Sequence, residues 1–224
     1  MKKNILMTIL ILIILTLGVV YLNNKASIIK LPKPEVTGGE RGLLGIDKNI
    51  NESNIDKYLG RNDSVYRDMR MLKDPGNYEA IGGDSYLSGF VKGFEVVPYP
   101  LLTEVKGLPD EVGDSYKGRT LFTQLDDGSY KANYDESLDI LEYYFPKDKY
   151  IFLMCGGGGY AGMTKNLLVS LGWNEDMIYN VGGYWYYDGE NNILVKRTIK
   201  GKDKYDFWKV NYHDIDFDSL TEVD

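Results

Sequence analysis

Hydrophobic and polar positions along this chain follow two periods, and the clearest switch between them falls near residue 155. Tyr150-Ile-Phe-Leu-Met-Cys155 is a mostly apolar run, and Gly156, Gly157, Gly158 and Gly159 follow it. Met163, Leu167, Leu168 and Leu171 then recur at helical spacing. The pattern predicts a buried strand, a tight loop and a helix ending near Gly172, with the thiol where strand becomes loop. Successive N–H groups in such a loop, backed by a helix N-terminus, form a concave anion site and favour thiolate over thiol.

The same reading gives the other elements. Ile55 to Leu59 forms a short amphipathic turn, and Ser64 to Arg70 a strand ending at the charged pair Asp68 and Arg70. Pro75-Gly76 breaks the chain, Gly82-Gly83 turns it, and Gly93 to Tyr99 gives a turn and a short buried strand ended by Pro98. Within 102–134, Arg119 to Thr123 reads as a strand before the Asp126-Asp127-Gly128 turn, and the long segment is expected to cover a pocket as a lid. A helix is expected near Asn133, capped by Asn133 or Asp135, lined by Leu138, Ile140, Leu141 and Tyr144, and stopped by Pro146. Met177 to Val181 is a short strand running into Gly182-Gly183 and the cluster Tyr184-Trp185-Tyr186-Tyr187. Those aromatics either line a pocket mouth or pack the C-terminal tail, in which Ile193 to Val195 is one strand. Strands alternating with helices predict an α/β domain with a largely parallel sheet flanked by helices. Ligands of such sheets sit at the carboxyl ends of the strands, where Cys155 falls.

Ahead of the domain, Ile5 to Leu22 carry no charge, and at ~1.5 Å per residue the run spans about 27 Å, near the hydrocarbon thickness. Lys2 and Lys3 place the N-terminus in the cytoplasm and the remainder outside. A cleavable signal peptide is the competing reading, which would give a secreted protein. An uncleaved single-pass transmembrane anchor is preferred because no clean cleavage site follows Leu22. No cysteine follows the run, which excludes lipoprotein processing. Residues 23–53, with Pro32, Pro34, Thr37-Gly-Gly39 and Gly42, read as an extended linker. The expected organisation is an anchor or signal peptide over 1–22, a linker over 23–53, an α/β domain over 54–190 and a C-terminal extension over 191–224.

Composition narrows the chemistry. With 224 residues the chain holds one ordinary domain plus extras, and a net charge of −7 argues against nucleic-acid binding. One cysteine excludes an intramolecular disulfide and a multi-cysteine metal site, and the single histidine, His213, argues against a zinc site or a Ser-His-Asp triad. His213 is not expected to fold back onto Cys155. A Cys-x5-Arg phosphatase needs arginine where Ala161 stands, and a P-loop needs Lys-Ser/Thr where Lys165-Asn166 lies inside the helix. Glu175 and Asp176 only loosely imitate the acidic residue of a dinucleotide site. Asp214, Asp216 and Asp218 alternate like calcium ligands but lack the turn glycine. No metal or cofactor is expected.

Five landmarks in order resemble a rhodanese-type sulfurtransferase domain over about Asn54 to Gly189. Asp68-Met69-Arg70 resembles the family's Asp-x-Arg at the end of an early strand, and Gly89-Phe-Val-Lys-Gly93-Phe94 its Gly-His-Ile-x-Gly-Ala segment, with Phe90 in place of the usual histidine. Cys155 to Ala161 resembles the active-site loop beginning at the catalytic cysteine. Leu171-Gly172-Trp173 and Tyr179-Asn-Val-Gly182-Gly183 are similar to the closing motifs.

The resemblance implies that Cys155 takes sulfane sulfur from a small donor as a persulfide and passes it to a thiol or other thiophilic acceptor. Gly156, Gly157, Gly158, Gly159, Tyr160 and Ala161 would form the substrate-binding loop, with their amides holding negative charge in transit. Asp68 and Arg70 are read as a supporting ion pair. Many family members have arginine or threonine where Tyr160 stands; this loop offers amide dipoles and no cation, which argues against thiosulfate as donor. The alternative is an inactive module of the same fold that binds an anion, a sulfur species or a partner protein.

Overall fold

The computed structural model describes residues 29–37 and 45–223. The expected anchor over 1–22 lies outside these residues. Among the described residues no helix is long and apolar enough to cross a membrane.

Strand β6 (Tyr150–Cys155) explains the architecture. Its side chains alternate between two apolar layers: Ile151, Leu153 and Cys155 join one, Phe152 and Met154 the other. A strand covered on both faces belongs inside a parallel sheet. Here β6 pairs in parallel with β1 (Ser64–Asp68) on one side and β7 (Ile178–Gly183) on the other, and β3 (Glu95–Val96) extends the sheet beyond β1. The order is β3-β1-β6-β7, a four-stranded parallel sheet flanked by helices.

One layer is built from the longest helices, α2 (Ser137–Tyr144) and α3 (Gly159–Ser170), together with the short α1 (Tyr99–Leu102). Leu141, Ala161, Leu167 and Leu168 are buried there against Ile151 and Leu153. Helix α3 carries the chain from β6 to the parallel strand β7, and Gly172 ends it at φ +95°, where an L side chain would be strained. The other layer is aromatic. Tyr66, Phe152 and Tyr179 stack across β1, β6 and β7 at centroid distances of 5.1 and 4.9 Å. It is covered by the 3-10 turn Ile55–Tyr58 and by Ile50.

That cover changes the reading of 23–53 as a linker. Ile46 and Ile50 are buried, the Asp47 amide donates to the Asn180 carbonyl (2.7 Å), and the Tyr179 hydroxyl donates to the Pro32 carbonyl (2.6 Å). The described part of the segment is thus folded onto β7. The tail after 190 is also integrated. Strand β8 (Asn192–Leu194) pairs antiparallel with β2 (Gly89–Val91), β9 (Lys196–Ile199) forms a hairpin with β10 (Lys202–Tyr205), and Phe217 is buried against Tyr134.

Two boundaries move. Helix α2 starts at Ser137, because the Asn133 side chain is engaged with Thr120 and Thr123 and does not cap; Leu138 is 48% exposed and not on the buried side. The strand expected over 119–123 is β4 (Phe122–Gln124), hairpinned to β5 (Tyr130–Ala132).

Candidate functional site

Period-two alternation along β6 places the Cys155 side chain on the α3 face, at the carboxyl end of the sheet. The residue is 3% exposed and lies on the wall of a cavity of about 630 Å³. Three glycines make the turn after it, and only Gly158 among them adopts a positive φ, +104°. This conformation, open to glycine, turns the Gly158 amide back onto Cys155 Sγ at 3.0 Å. The Gly158 carbonyl then accepts from the Gly162 amide at 3.1 Å as α3 begins.

Gly159, Tyr160 and Ala161 are therefore the first turn of α3 and not part of the loop, which contracts to Gly156, Gly157 and Gly158. Across the loop, β7 closes the site. Cys155 pairs with Gly183, and the Trp185 amide donates to the Gly156 carbonyl at 3.1 Å. A Cβ on Gly183 would stand 2.7 Å from Gly157 Cα, so this approach requires glycine.

The thiol departs from the sequence expectation. Burial pushes the Cys155 thiol up, while the amides of Ala161 and Gly158 pull it down without overcoming the lost hydration. The nearby Asp68 carboxylate raises it further and Arg70 lowers it. The loop amides therefore do not by themselves favour thiolate over thiol at Cys155.

Asp68 and Arg70 are both buried at the end of β1. Arg70 Nε and Nη2 donate to Asp68 Oδ1 and Oδ2 at 2.9 and 2.6 Å, and Nη2 also donates to the Gly89 carbonyl at 2.7 Å. The guanidinium lies over the Tyr184 ring, 4.6 Å from its centroid. Its Nη1 is buried and has no hydrogen-bond partner among the described residues, and Arg70 lines the cavity beside Cys155. The loop has no cation of its own, but the strand beside it delivers one.

The rest of the cavity wall draws in Asp74, Tyr78 and Tyr86, which no spacing singled out. Asp74, Tyr78, Tyr86, Leu108 and Trp185 line it together with Tyr160 and Met163. Leu108, with Gly107 and Pro109, is the only part of 102–134 on this wall, so most of that segment packs elsewhere. The aromatic cluster after Gly183 divides its roles. Trp185 and Tyr186 line the cavity, Tyr184 covers Arg70, and Tyr187 is buried and donates to Asp56 at 2.6 Å. The Trp185 Nε1–H is buried without an acceptor among the described residues.

Tyr160 donates to Asp74 Oδ2 at 2.9 Å, and its oxygen lies 2.5 Å from the Tyr78 hydroxyl. Burial raises Asp74, against the pull of the Gly76 amide and the Tyr160 hydroxyl, and burial also raises both phenols. His213 is elsewhere, with its ring nitrogen 3.2 Å from Glu95 on the β3 edge and its ring against Tyr144. Lys165 pairs with Glu175 at 3.7 Å. Among the described residues no group of three or more His, Cys, Asp or Glu is placed to hold a metal ion. No protein-family model, characterised protein or solved structure matches this chain.

Proposed function

We propose that the chain is a rhodanese-like sulfurtransferase in which Cys155 carries sulfane sulfur as a persulfide. The observation that carries this reading is the seat of Cys155 Sγ: a lone thiol on a cavity wall, bonded by the Gly158 amide of the turn that follows it. A sulfur added to Sγ would extend into a space bordered by the loop, whose amides can hold a terminal sulfur anion, and by Arg70 and Trp185. In the first half-reaction the Cys155 thiolate attacks the transferable sulfur of a donor, forming the persulfide while the rest of the donor leaves with the bonding electron pair: a thiolate from an organic persulfide, sulfite from thiosulfate, or the enolate of pyruvate from mercaptopyruvate. In the second, a thiophilic acceptor attacks that sulfur and Cys155 leaves.

The experiment is mass spectrometry of the full-length chain after incubation with mercaptopyruvate, thiosulfate or a low-molecular-weight persulfide. An adduct of about 32 Da, one sulfur atom, is expected on Cys155, and Cys155→Ser should lose it while remaining folded. No adduct from any donor would refute the reading.

The second reading, a binding module without turnover, draws on the upward shift of the Cys155 thiol. It predicts saturable binding of an anion or sulfur species with no covalent adduct.

A further inference from the structure

We propose that Tyr78, Tyr160 and Asp74 form a proton relay that takes the proton from a thiol acceptor entering the Cys155 cavity. The proposal depends on the sulfur-transfer reading and adds to it both the class of acceptor and the groups that activate it.

Hydrogen-bond valence gives the chain a direction. An ionised carboxylate only accepts, so the Tyr160 proton is committed to Asp74 Oδ2 at 2.9 Å. The 2.5 Å contact between the two phenols must then be donated by Tyr78 to the Tyr160 oxygen. That leaves the Tyr78 oxygen with spare accepting capacity at the end of the chain. Tyr78 lines the cavity with Cys155 and is close enough for the two charges to be felt mutually. The site therefore presents an acceptor on the path of an incoming S–H group. The far end suits the task, since burial makes Asp74 a stronger base than an ordinary aspartate.

The step balances without an oxidant or a reductant. The acceptor thiol gives its proton to the Tyr78 oxygen, the Tyr78 proton moves to Tyr160, and the Tyr160 proton moves to Asp74. The freed thiolate attacks the outer sulfur of the Cys155 persulfide. A new S–S bond forms, the bond to Cys155 Sγ breaks, and its electron pair leaves on Sγ. As that bond breaks, the proton returns through the same chain to Cys155, whose thiol form is favoured by burial. Without that return the Cys155 thiolate would be a poor leaving group, because a high thiol pKa slows departure. Tyr78 is the group that touches the acceptor; Tyr160 and Asp74 act through it.

Single-turnover discharge tests this. The full-length chain, loaded from an organic persulfide, is mixed with mercaptoethanol or with sulfite at mildly alkaline pH, and loss of the Cys155 adduct is timed by mass spectrometry. Sulfite attacks as an anion and has no proton to surrender. Tyr78→Phe, Tyr160→Phe and Asp74→Asn are each expected to lower the ratio of thiol rate to sulfite rate by about tenfold to a hundredfold. The defect should shrink along a series of increasingly acidic thiols, a response that a purely structural role would not produce. Equal slowing of both acceptors, or an unchanged ratio in Tyr78→Phe, would overturn the relay. Failure of the wild-type chain to take up sulfur would overturn the underlying reading before the relay is reached.

Discussion

Adding one methyl group to Gly183 should damage this protein more than adding one to any glycine of the loop it faces. Gly183 is extended, with φ −128° and ψ 135°, a conformation open to any residue, so backbone strain is not the cause. The cause is contact. A Cβ there would lie 2.8 Å from the Gly156 carbonyl carbon and 2.7 Å from Gly157 Cα, and closer still to the Gly156 oxygen. All three are backbone atoms, which cannot rotate away as a side chain can. Overpacking usually costs about 1–3 kcal/mol, and a rigid obstacle puts Gly183→Ala at the upper end, about 3 kcal/mol.

The loop glycines should then fall in a predictable order. Gly158→Ala is strained by its φ of +104°, at about 1–2 kcal/mol. In Gly156→Ala the atoms nearest the new methyl group all belong to the Trp185 indole, with Cε2 at 2.5 Å, and the ring must shift. Gly157→Ala meets the same ring at 3.2 Å and should cost below about 1 kcal/mol. Gly159 has nothing among the described residues within 4 Å of an added Cβ and begins a helix, so Gly159→Ala should be neutral or stabilising by up to about 1 kcal/mol. Urea unfolding of the five variants, with m-values compared, measures the series. Gly183→Ala within about 0.5 kcal/mol of wild type, or equal effects at Gly156, Gly157, Gly158 and Gly159, would refute the packing argument.

Arg70→Met should cost about 3–5 kcal/mol, because Asp68 is left buried and uncompensated. The double variant with Asp68→Asn should recover much of that loss in the same unfolding assay; a double variant as unstable as the single would count against it. Alkylation of Cys155 by iodoacetamide should be slow near neutral pH and continue to rise above the range in which an ordinary cysteine has levelled off, as the raised thiol requires. A plateau below that range would show a thiolate poised by the loop. Asp74→Asn should change the pH dependence of stability. A carboxyl raised on folding makes the native state bind more protons than the unfolded chain, so wild-type stability falls as pH rises from the unfolded value through the higher folded one. The variant should lack that component, which urea midpoints across acidic pH would reveal; parallel profiles would contradict the assignment.

The strand, loop and helix around Cys155 were legible because two apolar periods meet there with no competing signal. Both faces of β6 are buried, which produces an unbroken apolar run, and α3 buries enough of its surface to show helical spacing. Elsewhere side chains carried misleading cues. Asn133 has the chemistry of a helix cap, but its amide is used by the Thr120 carbonyl. The β9–β10 hairpin is hidden because charged residues dominate it, while its packing is carried by Tyr205, which stacks on the distant Tyr86 at 4.5 Å. The relay could not be read from spacing at all. Asp74 and Tyr160 are separated by 86 positions and Tyr78 and Tyr160 by 82, so only the fold brings them together.

The same reasoning bears on which sulfur compounds the proposed site would accept. Tyr160 stands where a loop cation was sought, and the cation present, Arg70, comes from beyond β1. Its charge is offset by Asp68 within 2.6 Å, so the pair offers a directed N–H donor and little net field. Asp74 and Asp84 add negative charge to the same wall. A small dianion such as thiosulfate would thus enter without net electrostatic attraction and leave most of a 630 Å³ cavity unfilled. An organic sulfur compound with one anionic end could set that end on the Arg70 side of the cavity and lay its body against Tyr78, Leu108 and Trp185. Tyr186, 51% exposed at the edge of the lining, leaves the body of such a ligand room to extend outward. On the sulfur-transfer reading, selectivity is therefore set by the aromatic wall and not by the glycine loop. Trp185→Ala should relax the preference for organic donors over thiosulfate in persulfide loading rates, whereas an unchanged preference would assign selectivity back to the loop.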